Sequence, residues 1–287
     1  MSTVWFNGEI VEGPLPLDPR DRGLLLGDGA FETIAAFNGH AVWLDDHLDR
    51  LMIAASVLGL NIKRETVAEG VKQTLRGRHG ILRITVTRGS TSRGLGAIEP
   101  GHGNLMVTFS PWIKGMLFQP ARLITSSIRR SPDSVTSRHK TLSYADNIAA
   151  AREASLRSAD DALMLNTHGR VACATVANIF VLEGDTLSTP LDSTEGVLNG
   201  ITSRHILGSL ADGLGLVSAC TGIEPARLFG ADAVFMTNSL RLVRPVTEID
   251  GRALPKAGGE IVKKIFDRIC RDIERDTGAD PRKVDHP

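Results

Sequence analysis

Ser137-Arg138-His139-Lys140-Thr141-Leu142-Ser143-Tyr144-Ala145-Asp146-Asn147 carries a polar loop into the helical pattern Ile148–Leu156. Further along comes a strand-like run ending Ala177-Asn178-Ile179-Phe180-Val181, and then two polar segments, Gly200-Ile201-Thr202 and Thr237-Asn238-Ser239. A lysine at a loop–helix junction is by itself an ordinary surface residue. A lysine followed in order by two segments rich in small residues and hydroxyls, suited to holding a phosphate, points to a Schiff-base cofactor.

Working outward, the 287 residues suit two domains of ordinary size. Hydrophobic content of 42% and charged content of 23% are those of a soluble globular chain. Lys+Arg and Asp+Glu are both 33, so no net field draws in nucleic acid or an anionic membrane. Zero net charge is also poor for the solubility of a lone subunit, which is consistent with surface buried in an oligomer. Cys173, Cys220 and Cys270 are odd in number and widely spaced, which argues against a disulfide framework or a zinc site and for a reducing compartment. The opening Met1-Ser2-Thr3-Val4-Trp5-Phe6 has no signal-peptide pattern, and no run has the roughly 18–20 apolar residues of a membrane span. The expected location is cytoplasmic.

Asn7-Gly8 and Asn38-Gly39, each between strand-like runs, signal two hairpins. Apolar residues at 48, 51, 52, 55 and 58 predict a helix over 47–60, and 66–75 reads as another. Runs 80–86 and 103–109 read as strands. These make a small α/β domain over 1–112, followed by a Gly- and Pro-broken connector over 113–120. The large domain, 121–287, opens with a strand at 121–126. It continues with a helix at 145–157, strands at 161–166, 176–182 and 232–236, and helices at 202–214 and 259–277. The polar tail 280–287 is expected to fray.

Several motifs then fall in order: Asp21-Arg22-Gly23, Gly27-Asp28-Gly29-Ala30-Phe31-Glu32-Thr33, His47-Leu48-Asp49-Arg50-Leu51, and Thr87-Arg88-Gly89 through Arg93-Gly94. Lys140, Asn178-Ile179-Phe180, Gly200-Ile201-Thr202 and Asn238-Ser239 follow. In this order, over nearly the whole chain, they resemble the class IV aminotransferases, the fold-type IV pyridoxal phosphate enzymes. That family includes branched-chain aminotransferases, D-amino acid aminotransferases and aminodeoxychorismate lyases. The resemblance implies a two-domain α+β subunit of D-amino acid aminotransferase type, pyridoxal 5′-phosphate in the interdomain cleft, and a homodimer.

By resemblance Lys140 forms the Schiff base and later shuttles the substrate's Cα proton. Its ordinary pKa of about 10.4 must fall for that, through burial or neighbouring cations such as Arg138 and His139. Arg50 resembles a phosphate-binding arginine; the plain alternative is a surface arginine paired with Asp46 one turn earlier. Ile201 and Thr202 match amide and hydroxyl donors to the phosphate, where Thr202 or Ser203 as a simple N-cap reads the same. Asn238 and Ser239 match a second phosphate loop. Tyr144 is the only tyrosine. On a helical turn it shares a face with Lys140, near the cofactor or in the core. Phe31 and Arg93 match substrate-contacting positions, with Arg241 and Arg244 as alternative carboxylate anchors. D-amino acid enzymes carry a tyrosine at Phe31 and a histidine at Leu95.

Cys173 departs from the family, which places a glutamate five residues before the asparagine of Asn178-Ile179-Phe180 to hold the cofactor's pyridine nitrogen protonated. A thiol, with a free pKa of about 8.5, is a poor substitute. Either the electron sink is weakened, or a thiolate stands in, or the chemistry needs less carbanion stabilisation, or Cys173 is a core residue. The leading expectation is an aminotransferase acting on a small amino acid, of D- or branched-chain type, and a 2-oxo acid. A lyase giving 4-aminobenzoate and pyruvate is the second, and a weakly active or non-catalytic relative the third. The sequence has no G-x-S-x-G or H-E-x-x-H for a hydrolase or zinc enzyme, and no metal is expected.

Overall fold

The computed structural model describes residues 3–92, 94–96, 103–254 and 259–285. The chain forms two compact units, and neither is contiguous. The first comprises Met1–Ile113 with His139–Tyr144 and Asp276–Ala279; the second comprises Lys114–Arg138, Ala145–Arg275 and Asp280–Pro287. The contiguous division into 1–112 and 121–287 leaves no room for the two short segments that join the first unit.

In the first unit the strands are β1 (Thr3–Phe6), β2 (Glu9–Glu12), β3 (Gly29–Phe37), β4 (His40–Ala41), β5 (Gly80–Thr87) and β6 (Leu105–Pro111). They pair in the order β2-β1-β6-β5-β3-β4. Asn7 and Asn38 sit at φ 49° and 51°, each followed by a glycine at positive φ, as tight hairpins require. Helices α1 (Arg22–Leu26), α2 (Leu44–Leu58) and α3 (Arg64–Leu75) complete the unit. Leu48, Leu51 and Ala55 of α2 and Val67 and Val71 of α3 pack with Trp5, Ile34, Leu82, Ile84 and Val107 from the sheet. Gly59, at φ 64°, ends α2 by donating its N–H to Ala55 and Ser56.

The segment His139–Tyr144 belongs here because it covers the open edge of β3. Phe31 N–H donates to Lys140 O at 3.0 Å, Leu142 N–H donates to Gly29 O at 2.9 Å, and Thr141 bridges Ala30. Backbone groups that would otherwise be buried without partners are thus satisfied.

The second unit contains α4 (Val135–Arg138), α5 (Ala145–Leu156), α6 (Asp192–Glu195), α7 (Ile201–His205), α8 (Pro225–Leu228), α9 (Glu260–Thr277) and α10 (Pro281–Asp285). Its strands are β7 (Ala121–Arg130), β8 (Asp161–Asn166), β9 (Val171–Ala174), β10 (Asn178–Glu183), β11 (Thr186–Thr189), β12 (Val217–Cys220), β13 (Ala233–Asn238), β14 (Leu242–Ile249) and β15 (Arg252–Ala253). They run in the order β12-β11-β10-β13-β14-β7-β8-β9, with β15 on β14. Because Cys173 of β9 also pairs with Asn178, β9 meets β10 and the strands from β10 round to β9 close into a ring.

Two sequence expectations change. The helix expected over 202–214 is α7 followed by a π-turn over 206–210, where Gly208 leaves helical geometry at φ −81°, ψ −140°. The described part of the tail, 280–285, is ordered: α10 buries Asp285 to 1% exposure, where its carboxylate accepts the Met116 and Leu117 N–H groups at 3.2 Å. Among the described residues no helix is long and apolar enough to cross a membrane. None of their His, Cys, Asp and Glu side chains gather as metal ligands.

Candidate active site

In the first unit, Lys140 is brought against two aromatic rings. Its Nζ lies 4.2 Å from the centre of the Phe31 ring and donates to the Tyr144 hydroxyl at 3.1 Å. Phe31 and Tyr144 meet edge to face, with centroids 5.0 Å apart. The Lys140–Tyr144 contact is made in a loop, because 140–144 is not helical. Their expected shared helical face is therefore replaced by a loop fixed on β3.

Arg83 is a second cation on the same ring, with its guanidinium carbon 3.9 Å from the Phe31 centroid. Phe31 pairs with Thr85 and Thr33 with Arg83 across β3 and β5, so Phe31 and Arg83 are diagonal neighbours within reach of long side chains. Arg83 donates to Thr85 Oγ1 at 3.3 Å and pairs with no carboxylate among the described residues. Burial pushes its pKa down. No motif marks Arg83 in the sequence. The available signal was one charge in the strand Ile81-Leu82-Arg83-Ile84, on the face that does not build the core.

Arg50 pairs with Glu32. Its Nε and one terminal nitrogen donate to the two Glu32 oxygens at 2.7 Å each. His47 Nδ1 lies 2.7 Å from Glu32 Oε2 and must carry the proton, since a carboxylate only accepts. Glu32 is fully buried. Burial raises its pKa, but the Arg50 charge and the bonds from Arg50 and His47 outweigh that, leaving it at about 2. For His47, burial is the largest influence and pushes its pKa down against the Glu32 bond; the Lys140 charge acts in the same downward direction. Its Nε2 is left a buried acceptor without a partner.

Arg22 and Arg88 both bind Asp28, at 2.8 and 2.7 Å, and Arg22 also donates to the Gly94 and Leu95 carbonyls. Arg93 lies outside the described residues.

In the second unit, Gly200 precedes α7 without a side-chain cap, so neither Thr202 nor Ser203 serves as its N-cap. The Thr202 hydroxyl is buried with no hydrogen-bond partner, and so is that of Thr237 on β13, against which α7 packs. The first-turn amides of Ile201 and Thr202 have no intrahelical acceptors. Two buried hydroxyls and adjacent amides are a donor set that fits a phosphate. Gly200 is needed at this point: a Cβ there would lie 1.9 Å from Asn178 Oδ1. Asn238 is occupied with its own turn, accepting from Leu240 N and Arg241 N at 3.0 and 2.8 Å, and Ser239 follows it in that turn. Arg244 is held by the Gln119 and Pro120 carbonyls. Arg241 lines a small cavity beside Thr237 and Asn238. Cys173 lies in β9 among apolar side chains, 7% exposed. Burial raises its pKa, opposed by the Arg130 charge.

Residues 29–249 match the family described as Amino-transferase class IV. A protein of Methanocaldococcus jannaschii, named provisionally as a branched-chain-amino-acid aminotransferase, is 33% identical over 283 residues, covering 96% of this chain and 97% of its own. The crystal structure of 4-amino-4-deoxychorismate lyase from Pseudomonas aeruginosa is 28% identical with a TM-score of 0.84, over 94% of this chain and 98% of that one. The T.th. branched-chain amino acid aminotransferase, complexed with N-(5′-phosphopyridoxyl)-L-glutamate, is 26% identical with a TM-score of 0.86, over 97% and 95%.

Proposed function

Since the chain belongs to the class IV aminotransferases, we propose that it moves an amino group between an amino acid and a 2-oxo acid, using pyridoxal 5′-phosphate, and that one of the two substrates carries a second carboxylate. The cofactor is carried over from the family and from the relative crystallised with a phosphopyridoxyl adduct. Lys140 carries the reading: its amine is held between an aromatic face and a hydroxyl, on a loop pinned to β3.

Bound through a lysine amine, pyridoxal phosphate supplies an electron sink for the pair released when a substrate Cα–H bond breaks. The chain's residues do the rest. Lys140 Nζ holds the cofactor and, once freed, takes the Cα proton. Tyr144 accepts a hydrogen bond from that amine and, with Phe31, limits where it points. The hydroxyls of Thr202 and Thr237 and the Ile201 and Thr202 amides hold the phosphate. Glu32 and His47 fix the orientation of Arg50, and on the resemblance alone this reading also gives Arg50, Asn238 and Ser239 to the phosphate. Arg83, without a carboxylate of its own, binds the second carboxylate of the substrate. Arg93 is assigned to a substrate carboxylate as well, on the resemblance alone. The small D- or branched-chain amino acid expected from the sequence remains the donor class. The subunit is proposed to work as a homodimer in the cytoplasm.

A lyase of the aminodeoxychorismate type is the second reading, favoured by a likeness to the Pseudomonas aeruginosa lyase nearly equal to that of the aminotransferase. The testing experiment is the visible spectrum of the purified protein, before and after borohydride and with Lys140→Ala. The reading requires a visible band that borohydride bleaches and the variant lacks. Single D- and L-amino acids, with and without a 2-oxo acid, then separate the two reactions, because a lyase turns over without an oxo acid. A protein that stays colourless with added pyridoxal phosphate overturns both.

A further inference from the structure

Cys173, Asn178 and Thr237 form one row across three strands. Cys173 of β9 is paired with Asn178 of β10, and Asn178 with Thr237 of β13. Residues directly opposite on neighbouring strands project from the same face. The thiol, the amide and the unpartnered Thr237 hydroxyl therefore share one face of the strand ring. On that face Asn178 Nδ2 donates to Leu198 O at 2.8 Å, two residues before Gly200. The thiol thus stands two strand spacings, about 10 Å, from a hydroxyl assigned to the phosphate. A phosphopyridine held by its phosphate near Thr237 would have to span a distance of that order for its ring nitrogen to meet the thiol.

The charges around the thiol are unlike those that hold a pyridinium. Its packing neighbours Ile124, Ala150, Ala162, Met164 and Val197 are apolar. Two charged groups act on it, Asp161 and Arg130. One Asp161 oxygen accepts from the Ala162 and Thr175 amides and from the Thr175 hydroxyl, at 2.8, 3.2 and 2.6 Å. That carboxylate is committed to the β8–β9 framework. Arg130 is only 8% exposed. It donates to the Gly196, Ser137 and Thr136 carbonyls at 3.0, 2.7 and 3.4 Å and to Asn147 Oδ1 at 3.4 Å, all of them neutral acceptors. Among the described residues it pairs with no carboxylate. Of the two charges acting on the thiol Arg130 is the stronger, and a buried cation that outweighs the nearby carboxylate disfavours any further positive charge.

We infer that the chain holds the pyridine nitrogen of its cofactor unprotonated, with the Cys173 S–H donating to it and the Arg130 charge opposing its protonation. The inference rests on the reading of the chain as a pyridoxal phosphate enzyme and concerns how that site runs. A neutral ring withdraws electrons less strongly than a pyridinium. Cα–H cleavage then depends more on the placement of Lys140 and on the substrate's own acidity. Replacing the thiol by a carboxylate restores the missing acceptor.

The test is nitrogen-15 NMR of protein reconstituted with ring-labelled pyridoxal phosphate, across pH. Cofactor uptake is read first, from the visible band. The wild type is expected to give a neutral-pyridine resonance, Cys173→Ser to keep it, and Cys173→Glu to move it to the pyridinium range. A pyridinium resonance in the wild type overturns the inference and leaves the functional reading standing. Failure of the wild type to take up cofactor overturns the functional reading and the inference with it. Should Cys173→Glu not fold, the wild-type resonance decides alone, and half-transamination with the 1-deaza cofactor analogue checks it. An enzyme that never protonates the nitrogen keeps its rate with that analogue, and a large loss counts against the inference.

Discussion

Arg50 and Glu32, eighteen positions apart in sequence, meet through two parallel hydrogen bonds of 2.7 Å, with Glu32 fully buried and Arg50 nearly so. This pairing sets the orientation of an arginine on α2 from a carboxylate on β3. It also makes Glu32 a conditional part of the fold, because a buried carboxylate is tolerable only while its cation is present.

Glu32→Gln leaves a buried guanidinium without its counter-charge and is expected to cost about 3 kcal/mol at neutral pH. Glu32 has an ordinary pKa of 4.5 and about 2 in the fold. A depressed carboxylate contributes its full stability above the unfolded value and loses it as pH falls through the folded one. The gap between wild type and variant should therefore narrow from pH 4.5 down to 2. Denaturant titrations at several pH values measure it; a gap independent of pH would mean that Glu32 is not ionised in the folded chain.

Arg83→Gln keeps a polar side chain on β5 and removes the cation over Phe31. For a substrate pair including 2-oxoglutarate, KM is expected to rise by roughly 10–100-fold, the worth of a charge-assisted pair. Pyruvate or a branched-chain oxo acid should change little. Steady-state kinetics with both acceptors separates the cases: an equal rise for each would assign Arg83 to the carboxylate shared by all substrates.

Thr202→Val should behave oppositely with and without cofactor. Stripped of cofactor, the protein loses an unsatisfied buried hydroxyl and should melt at the same temperature or slightly higher. The cofactor dissociation constant should rise about tenfold, the value of one hydrogen bond to a charged group. Paired thermal melts and fluorescence titrations report both effects, and unchanged cofactor affinity would remove Thr202 from the phosphate donors.

Gly200→Ala tests the close approach of α7 to β10. The added methyl would fall 1.9 Å from Asn178 Oδ1, so Asn178 or α7 must move. The expected cost is about 1–3 kcal/mol, with weakened cofactor binding as Thr202 shifts. A crystal structure of the variant with Asn178 unmoved would show that the segment yields instead.

Much of this was legible in the sequence where local chemistry decides. The Asn-Gly hairpins, the Leu48/Leu51/Ala55 stripe of α2, the strand over 161–166 and the helix after Tyr144 all follow from turn chemistry or periodicity. What was hidden depends on register between distant elements. Nothing local tells Arg50 to reach Glu32, or sets Arg83 diagonally over Phe31. The helix expected over 202–214 is interrupted although its apolar spacing continues through Gly208, where the backbone turns aside. Cys173 was conspicuous as a residue type, but its row with Asn178 and Thr237 appears only once β9, β10 and β13 are paired.

The edge of β3 is closed by Lys140, Thr141 and Leu142, and Asn38 of the first unit bonds to Thr277 O at 3.4 Å. A fragment ending at Ile113 would therefore leave Gly29 and Phe31 with unpaired backbone groups along an aggregation-prone edge. During synthesis the first unit to emerge is among the last to be finished, since its final contacts wait for residues near the C-terminus. Truncation from the C-terminal end should thus be felt first at Met116 and Leu117, which Asp285 holds, and at the N-terminal sheet once it reaches Asp276–Ala279.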